Sequence, residues 1–304
     1  MITTTPEYLK SGDTIGVICP SGYMPFENME TCLQTLEQWG FNVKRGKTLG
    51  AHFNYFSGTD EERLDDLQQM LDDKQVKAIL CARGGYGLSR IIDKIDFTTF
   101  LKNPKWVIGY SDITVLHSHL FNNYHIASLH SPMAAAFNNG GSTSLYVQSL
   151  FKAITGVSSE YQHIGYKLNK PGTATGELVG GNLCLLSHLV GSASSIDTAG
   201  KLLFLEDIGE YIYNIDRLML QLQRAGKLQH LAGLIVGSFT DMKDTVIPFG
   251  ASVYDVIYEK VQSFSYPVCF NFPVGHTAEN YALKHGVLHT LEVNEKGVLL
   301  TERH

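Results

Sequence analysis

A serine in the sequence G-Y-S-D, residues 109–112, is the side chain best placed for nucleophilic chemistry. The apolar run 106–110 before it predicts a buried strand, and the stretch after it predicts a helix. On such a tight strand-to-helix turn, the hydroxyl of Ser111 projects beyond the sheet edge and the next backbone N–H points toward an incoming oxyanion. A plain helix-capping serine is the structural alternative. Ile113 replaces the last glycine of G-x-S-x-G, which disfavours an ordinary α/β-hydrolase.

A glycine-rich segment, R-G-G-Y-G at residues 83–87, follows the apolar run 76–81; we call it the glycine turn. Its backbone N–H groups could supply a second oxyanion donor. They could equally cradle a phosphate at a helix N-terminus, or the turn could be purely structural. Because the segment lacks both G-x-G-x-x-G and the P-loop G-K-[ST], a dinucleotide site is disfavoured.

A carboxylate and an imidazole occur at turns in the second half of the chain. Glu206, in the sequence L-E-D, ends a predicted strand over 201–205, and His276 follows a predicted strand over 267–272. A carboxylate at a strand end can orient an imidazole for proton transfer. The structural alternatives are a solvated acid and an ordinary histidine, since the chain has 12 histidines.

No pattern in the sequence indicates a metal ion. His117 and His119 lie two apart on a predicted helix and point to different sides, so they are poor joint ligands. No H-E-x-x-H motif occurs. The sequence therefore predicts an enzyme without a cofactor.

The elements around these residues alternate between short apolar runs and amphipathic stretches. This alternation predicts βαβ units and a parallel sheet with helices on both faces. Ligands bind such sheets beyond the carboxyl ends of the strands, where the glycine turn and the Ser111 turn both fall. The N-terminal half is therefore expected to carry the nucleophile.

The length of 304 residues suits two domains, at roughly 100–200 residues per domain. The polar, turn-rich stretch 156–176 predicts a linker between an N-terminal domain, 1–155, and a C-terminal domain, 177–304.

Charge and composition exclude several classes of partner. The formal net charge of −6 argues against nucleic acid, and no apolar run approaches the roughly 20 residues that span a bilayer. The first ten residues do not have the pattern of a signal peptide, so we expect a cytoplasmic protein. The five scattered cysteines predict buried reduced thiols.

These segments together resemble the LD-carboxypeptidase family of serine peptidases, which includes murein tetrapeptide carboxypeptidases and microcin C self-immunity hydrolases. The resemblance spans nearly the whole chain. Its segments are G-D-T-I-G-V at 12–17, P-S-G at 20–22, A-R-G-G-Y-G at 82–87, G-Y-S-D at 109–112, G-G-N-L at 180–183, L-E-D at 205–207 and G-H at 275–276. Each motif is weak by itself, but their order along one chain is specific.

The resemblance implies a role for each motif. Ser111 is the nucleophile, and Glu206 and His276 complete the triad. The oxyanion hole uses the backbone of Asp112 and of a glycine in the glycine turn, Gly85, with Gly84 as the competing choice. The implied fold is a Rossmann- or flavodoxin-like parallel-sheet N-terminal domain with a smaller, β-rich α/β C-terminal domain, often as a homodimer.

The implied substrate is a muropeptide, a peptidoglycan-derived tetrapeptide that loses its terminal D-alanine during cell-wall recycling. An exopeptidase must bind the free carboxylate, and Arg83, assisted by Tyr86, or Lys284 could do so by charge. Two alternatives stay open. One is a microcin-immunity amidase, although the 206 − 111 = 95 positions between serine and glutamate leave little room for that branch's extra loop. The other is a non-catalytic nucleotide- or phosphate-binding module that uses the two turns as an anion nest.

Overall fold

The computed structural model describes residues 3–303, which form two compact units. The first contains the described residues up to Val157 and, from late in the chain, Tyr281–Lys284. The second contains Ser158–Asn280 and the described residues from His285 onward.

The first unit is built on a six-stranded sheet. Its strands are β1 (Thr14–Ile18), β2 (Asn42–Arg45), β3 (Val76–Cys81), β4 (Trp106–Gly109), β5 (Ser128–His130) and β11 (Leu283–His285). Its helices are α1 (Glu30–Gln38), α2 (Asp60–Asp72), α3 (Thr98–Lys102), α4 (Thr114–Tyr124) and α5 (Leu145–Ile154). The strand order is β11-β5-β4-β3-β1-β2, and β1 to β5 pair in parallel.

The order β2-β1-β3-β4-β5 is that of a flavodoxin-like sheet. In this topology the chain winds outward in both directions from β1 and β3, and ligands bind beyond the carboxyl ends of those two strands. The P-S-G sequence at 20–22 follows β1, and the glycine turn follows β3. The parallel sheet predicted from the alternating pattern is confirmed.

Local sequence explains where these elements begin and which surfaces they bury. Thr59 and Glu62 form a capping box, in which each side chain accepts a hydrogen bond from the other's backbone N–H, so α2 begins at Asp60. The strand β4 is apolar at every position and fully buried, because helices cover both faces of a parallel sheet.

The second unit holds a seven-stranded mixed sheet. Its strands are β6 (Glu160–His163), β7 (Gly172–Asn182), β8 (Leu202–Ile208), β9 (Gly233–Thr240), β10 (Val268–Cys269), β12 (Leu288–Asn294) and β13 (Gly297–Glu302). Its helices are α6 (Leu183–His188), α7 (Ile212–Arg224) and α8 (Val253–Val261). The order is β10-β9-β8-β7-β12-β13-β6, parallel from β10 to β7 and antiparallel beyond. Together the two units match the predicted α/β fold class.

Two features differ from the sequence-based expectations. The stretch 156–176 contains β6 and the start of β7, because a polar edge strand has few apolar residues to reveal it. The β8 strand continues through Ile208, so Glu206 lies within it.

Among residues 3–303 we find no helix that is both long and apolar enough to cross a membrane. Four cysteines are buried as predicted, whereas Cys184 is partly exposed.

Candidate active site

Ser111 opens a short 3-10 turn, Ser111–Ile113, between β4 and α4. Its φ of +66° lies in the left-handed region, which non-glycine residues seldom occupy. Such strain costs on the order of 1–3 kcal/mol and clusters at functional sites. This is the geometry expected of an exposed nucleophile on a strand-to-helix turn.

The glycine turn passes directly against Ser111. A Cβ on Gly84 would lie 2.8 Å from the Cβ of Ser111 and 3.2 Å from the backbone N of Asp112, so only glycine fits. The backbone N–H of Gly22 donates to the carbonyl oxygen of Gly84 at 2.9 Å. Because the Gly84–Gly85 peptide is trans, the N–H of Gly85 points to the opposite side. Within residues 3–303 that N–H has no hydrogen-bond partner.

The carboxylate of Asp112 is fully buried beside the Ser111 turn. Its Oδ2 accepts a hydrogen bond from the hydroxyl of Ser21 at 2.6 Å and from the backbone N–H of Leu88 at 2.9 Å. Ser21 follows β1 and Leu88 follows the glycine turn. The three turns at the carboxyl ends of β1, β3 and β4 are thereby joined by one side chain.

The three candidate groups for a substrate carboxylate differ in exposure. Arg83 and Tyr86 are exposed, and the Arg83 guanidinium forms no hydrogen bond or ion pair with the described residues. Lys284 is only 1% exposed, with its ammonium 3.2 Å from the hydroxyl of Tyr8 and above that ring. Burial removes Lys284 as a substrate contact and leaves Arg83.

In the second unit, Glu206 and His276 form a close pair. Nδ1 of His276 lies 2.6 Å from Oε2 of Glu206, whose side chain is fully buried. An ionised carboxylate only accepts hydrogen bonds, so Nδ1 carries the proton and Nε2 is the basic nitrogen. Gly275 makes this approach possible, because a Cβ there would lie 2.7 Å from the Cβ of Glu206.

Two carboxylates tune this histidine. Burial lowers the pKa of His276, but the hydrogen bond and charge of Glu206 and the charge of Asp207 outweigh it, so the pKa is raised above its ordinary value. Burial and the adjacent Glu206 charge raise the pKa of Asp207 to about 6. Asp207 accepts hydrogen bonds from the Asn182 side chain and from the backbone of Cys184 and Ile208.

The histidine loop, residues 274–280, is held by polar contacts to β9 and within itself. The hydroxyl of Thr240 donates to the carbonyl oxygen of His276, and that of Ser238 to the carbonyl oxygen of Val274, each at 3.0 Å. The Asn280 side chain accepts from the backbone N–H of Gly275 at 3.0 Å. Neither Thr240 nor Asn280 stands in a recognisable motif, so the sequence offered no signal for them.

The predicted site residues thus fall into two groups. The first unit brings together Ser111, Asp112 and the glycine turn, and the second pairs Glu206 with His276. One group supplies a strained hydroxyl beside backbone donors, and the other a carboxylate-oriented base. These are the parts that serine acyl-transfer chemistry requires.

Comparison with known proteins matches both halves of the chain to one family. The LD-carboxypeptidase N-terminal domain matches residues 15–131, and the LD-carboxypeptidase C-terminal domain matches residues 175–291. A probable murein peptide carboxypeptidase of Bacillus subtilis is 36% identical over 97% of this chain and 93% of its own length. The microcin C7 self-immunity protein MccF of Escherichia coli is 24% identical, over 97% of this chain and 95% of its own.

The crystal structure of muramoyltetrapeptide carboxypeptidase from Oxalobacter formigenes superposes with a TM-score of 0.86 and 27% identity, covering 96% of this chain and 99% of the other. These matches confirm the resemblance drawn from the sequence motifs. The chain belongs to the LD-carboxypeptidase family and is a serine-type LD-carboxypeptidase acting on cell-wall peptides.

Proposed function

We propose that this enzyme hydrolyses the bond between the L-centre of a diamino acid and the terminal D-alanine of a peptidoglycan tetrapeptide. Ser111, Glu206 and His276 act as the catalytic triad. The observation that carries this assignment is the buried hydrogen bond of 2.6 Å between Glu206 and His276, which fixes the tautomer that a general base needs.

In this mechanism His276 Nε2 takes the proton of Ser111 as Oγ attacks the scissile carbonyl carbon. The backbone N–H groups of Asp112 and Gly85 stabilise the oxyanion, each worth roughly 3 kcal/mol by analogy with other acyl-transfer enzymes. His276 then protonates the departing amine of D-alanine. Water, activated by the same imidazole, then hydrolyses the acyl-enzyme, and Glu206 holds the imidazole in place during both steps.

Arg83 is the proposed anchor for the free carboxylate of the substrate, with Tyr86 beside it. Its guanidinium is exposed, has no partner among the described residues, and lies on the turn that also carries Gly85. An arginine fork matches a carboxylate with two hydrogen bonds. Arg83→Gln should raise KM for the tetrapeptide while changing kcat little, and an unchanged KM would remove Arg83 from the site.

The decisive experiment is incubation of the purified protein with a defined muropeptide, followed by mass spectrometry. We expect the loss of one alanine from a tetrapeptide that ends in D-alanine. The matched control ends in L-alanine, and equal release from both would refute stereospecific cleavage. Ser111→Ala protein should release none, and normal activity of that variant would overturn the triad.

The competing functions predict other outcomes. A microcin-immunity amidase would cleave an aminoacyl sulfamoyl nucleotide faster than the tetrapeptide, and MccF is a relative. An anion-binding module would bind phosphate with no turnover. The 95 positions between Ser111 and Glu206 favour the tetrapeptide enzyme (206 − 111 = 95).

We further propose, from the family resemblance, that the protein is a cytoplasmic homodimer that serves cell-wall recycling. Light scattering of the purified protein tests the dimer. Accumulation of tetrapeptides in the cytoplasm of a deletion strain tests the recycling role, and an unchanged pool would contradict it.

A further inference from the structure

The turn P-S-G at residues 20–22, which we call the PSG turn, contacts both elements of the proposed oxyanion hole. It follows β1 at the point where the sheet order reverses. Neither the triad nor the oxyanion donors include any of its residues. It nevertheless contacts the residues on both sides of the site, Gly84 through a backbone hydrogen bond and Asp112 through a side chain.

The first contact fixes the glycine turn. The N–H of Gly22 donates to the carbonyl oxygen of Gly84 at 2.9 Å, which sets the plane of the Gly84–Gly85 peptide. Rotating this plane would turn the N–H of Gly85 away from its present direction. Gly22 itself approaches closely, since a Cβ on Gly22 would lie 3.0 Å from that same carbonyl oxygen.

The second contact fixes the Ser111 turn. The hydroxyl of Ser21 donates at 2.6 Å to the carboxylate of Asp112, and both side chains are fully buried. Asp112 also supplies the other proposed oxyanion donor, its backbone N–H, so Ser21 holds the side chain of the residue that carries this donor. Removing the hydroxyl would leave a buried carboxylate with one donor fewer, which forces it to shift or to lose stabilisation.

The PSG turn is itself firmly anchored. The carbonyl oxygen of Pro20 accepts from the guanidinium of Arg63 at 2.7 Å, and Arg63 is 0% exposed. The carbonyl oxygen of Ser21 accepts from the backbone N–H of Ser57 at 3.1 Å, and the hydroxyl of Ser57 donates to the carbonyl oxygen of Cys19. A rigid support of this kind is what holds catalytic groups within the narrow tolerance that acyl transfer demands.

We propose that the PSG turn sets the oxyanion hole, with Ser21 as a positioning residue that acts through the carboxylate of Asp112. This inference rests on the proposed function. Ser21 is fully buried and its hydroxyl donates to Asp112, so its removal should weaken transition-state stabilisation without weakening substrate binding.

The test compares Ser21→Ala with Thr48→Val. Thr48 is also buried and donates its hydroxyl to a buried carboxylate, that of Asp66, at 2.5 Å in the same unit. Both variants remove a buried hydrogen bond from a hydroxyl to a carboxylate, and Thr48→Val also removes the acceptor of the Cys19 backbone N–H at 2.9 Å, but Thr48 contacts neither oxyanion donor. We expect Ser21→Ala to lower kcat by about 10- to 100-fold with KM nearly unchanged, and Thr48→Val to lower the melting temperature but not kcat.

A second readout does not depend on the peptide substrate. Phosphonylation of Ser111 by a fluorophosphonate also places a charged oxygen in the oxyanion hole, so its rate constant should fall in parallel with kcat in Ser21→Ala. If Ser21→Ala fails to fold, Ser21→Cys keeps the side-chain shape with a weaker donor and should give an intermediate loss.

The outcomes separate this inference from the proposed function. If the wild-type protein neither cleaves the tetrapeptide nor reacts at Ser111, the proposed function fails. If the wild type reacts at Ser111 and the serine variant reacts as fast as Thr48→Val, the positioning role of Ser21 is refuted while the triad stands. An increase in KM with kcat unchanged would also overturn the inference.

Discussion

Replacing Glu206 with glutamine tests whether this carboxylate supports His276 as the proposed catalytic base. The substitution preserves size and removes one charge from a fully buried position 2.6 Å from Nδ1 of His276. In the proposed mechanism the imidazole of His276 becomes positively charged in the transition state, and Glu206 is then its counter-charge. Glu206→Gln should therefore destabilise the transition state more than the ground state.

The size of the effect follows from the separation of the charges. Two unit charges roughly 4 Å apart interact by about 4 kcal/mol at an effective dielectric constant of about 20. At 1.36 kcal/mol per factor of ten, this corresponds to a fall in kcat of about 10³. A glutamine can also donate to Nδ1 and favour the wrong tautomer, which extends the loss toward about 10⁴.

The pH dependence of kcat/KM is the sharpest assay. The imidazole acts as a base only when neutral, so wild-type kcat/KM should fall as the pH drops through the raised pKa of His276. Glu206→Gln removes the charge that raises the pKa of His276, while burial still lowers that pKa. The acidic limb of the kcat/KM profile should therefore move to lower pH in the variant. At alkaline pH the imidazole of His276 is neutral in both the wild type and the variant. The difference in kcat/KM between the two proteins that persists there measures the lost transition-state stabilisation.

The control is Glu177→Gln, which alters a partly buried glutamate of the same unit that pairs with Lys201 at 2.6 Å. It should retain wild-type kcat and the wild-type acidic limb. If Glu206→Gln kept kcat within tenfold of wild type, with an unmoved limb, Glu206 would not be the partner of the catalytic base.

Substitutions at three further positions probe other parts of the site. Ser111→Ala should lower kcat by a factor on the order of 10⁶ with the fold intact. Ser111→Gly should be equally inactive, but its free energy of unfolding in urea should be about 1 kcal/mol higher than that of Ser111→Ala, because glycine adopts the φ of +66° without strain. Equal free energies of unfolding would contradict backbone strain at this position. Asp207→Asn should move the acidic limb of kcat/KM to lower pH, since the Asp207 charge helps raise the pKa of His276, and a limb that moves upward would be the wrong sign. Gly84→Ala should reduce kcat/KM at least about tenfold through displacement of Ser111, whereas Gly165→Ala, with its nearest neighbour at 3.8 Å, should not.

The elements of the first unit could be predicted because their sequence signals are local. A mostly apolar run marks β3, a continuous apolar run marks β4, and the capping box marks the start of α2. The placement of Ser111 on a strand-to-helix turn followed from the same pattern. The hydrogen-bonded pairing of Glu206 with His276, 70 positions apart, could be inferred from family resemblance but not from spacing.

Contacts between distant turns could not be predicted. The sequence identified P-S-G as part of the family resemblance, yet nothing in it indicates that Ser21 bonds to Asp112, 91 positions away. The burial of Lys284 beside Tyr8 depends on where a late segment inserts, which no local pattern reports. The β6 strand was missed because an edge strand exposed on one side has mostly polar residues.

The late insertion of β11 also bears on how the protein is made. Residues 281–284 belong to the first unit, although the whole of Ser158–Asn280 is synthesised between them and the rest of it. Until they emerge from the ribosome, the edge of β5 that β11 will cover stays open, and open strand edges invite pairing with other chains. A nascent chain of this protein therefore keeps an open strand edge until residues 281–284 have been synthesised, and substitutions that prevent β11 from pairing would expose the same edge in the folded sheet.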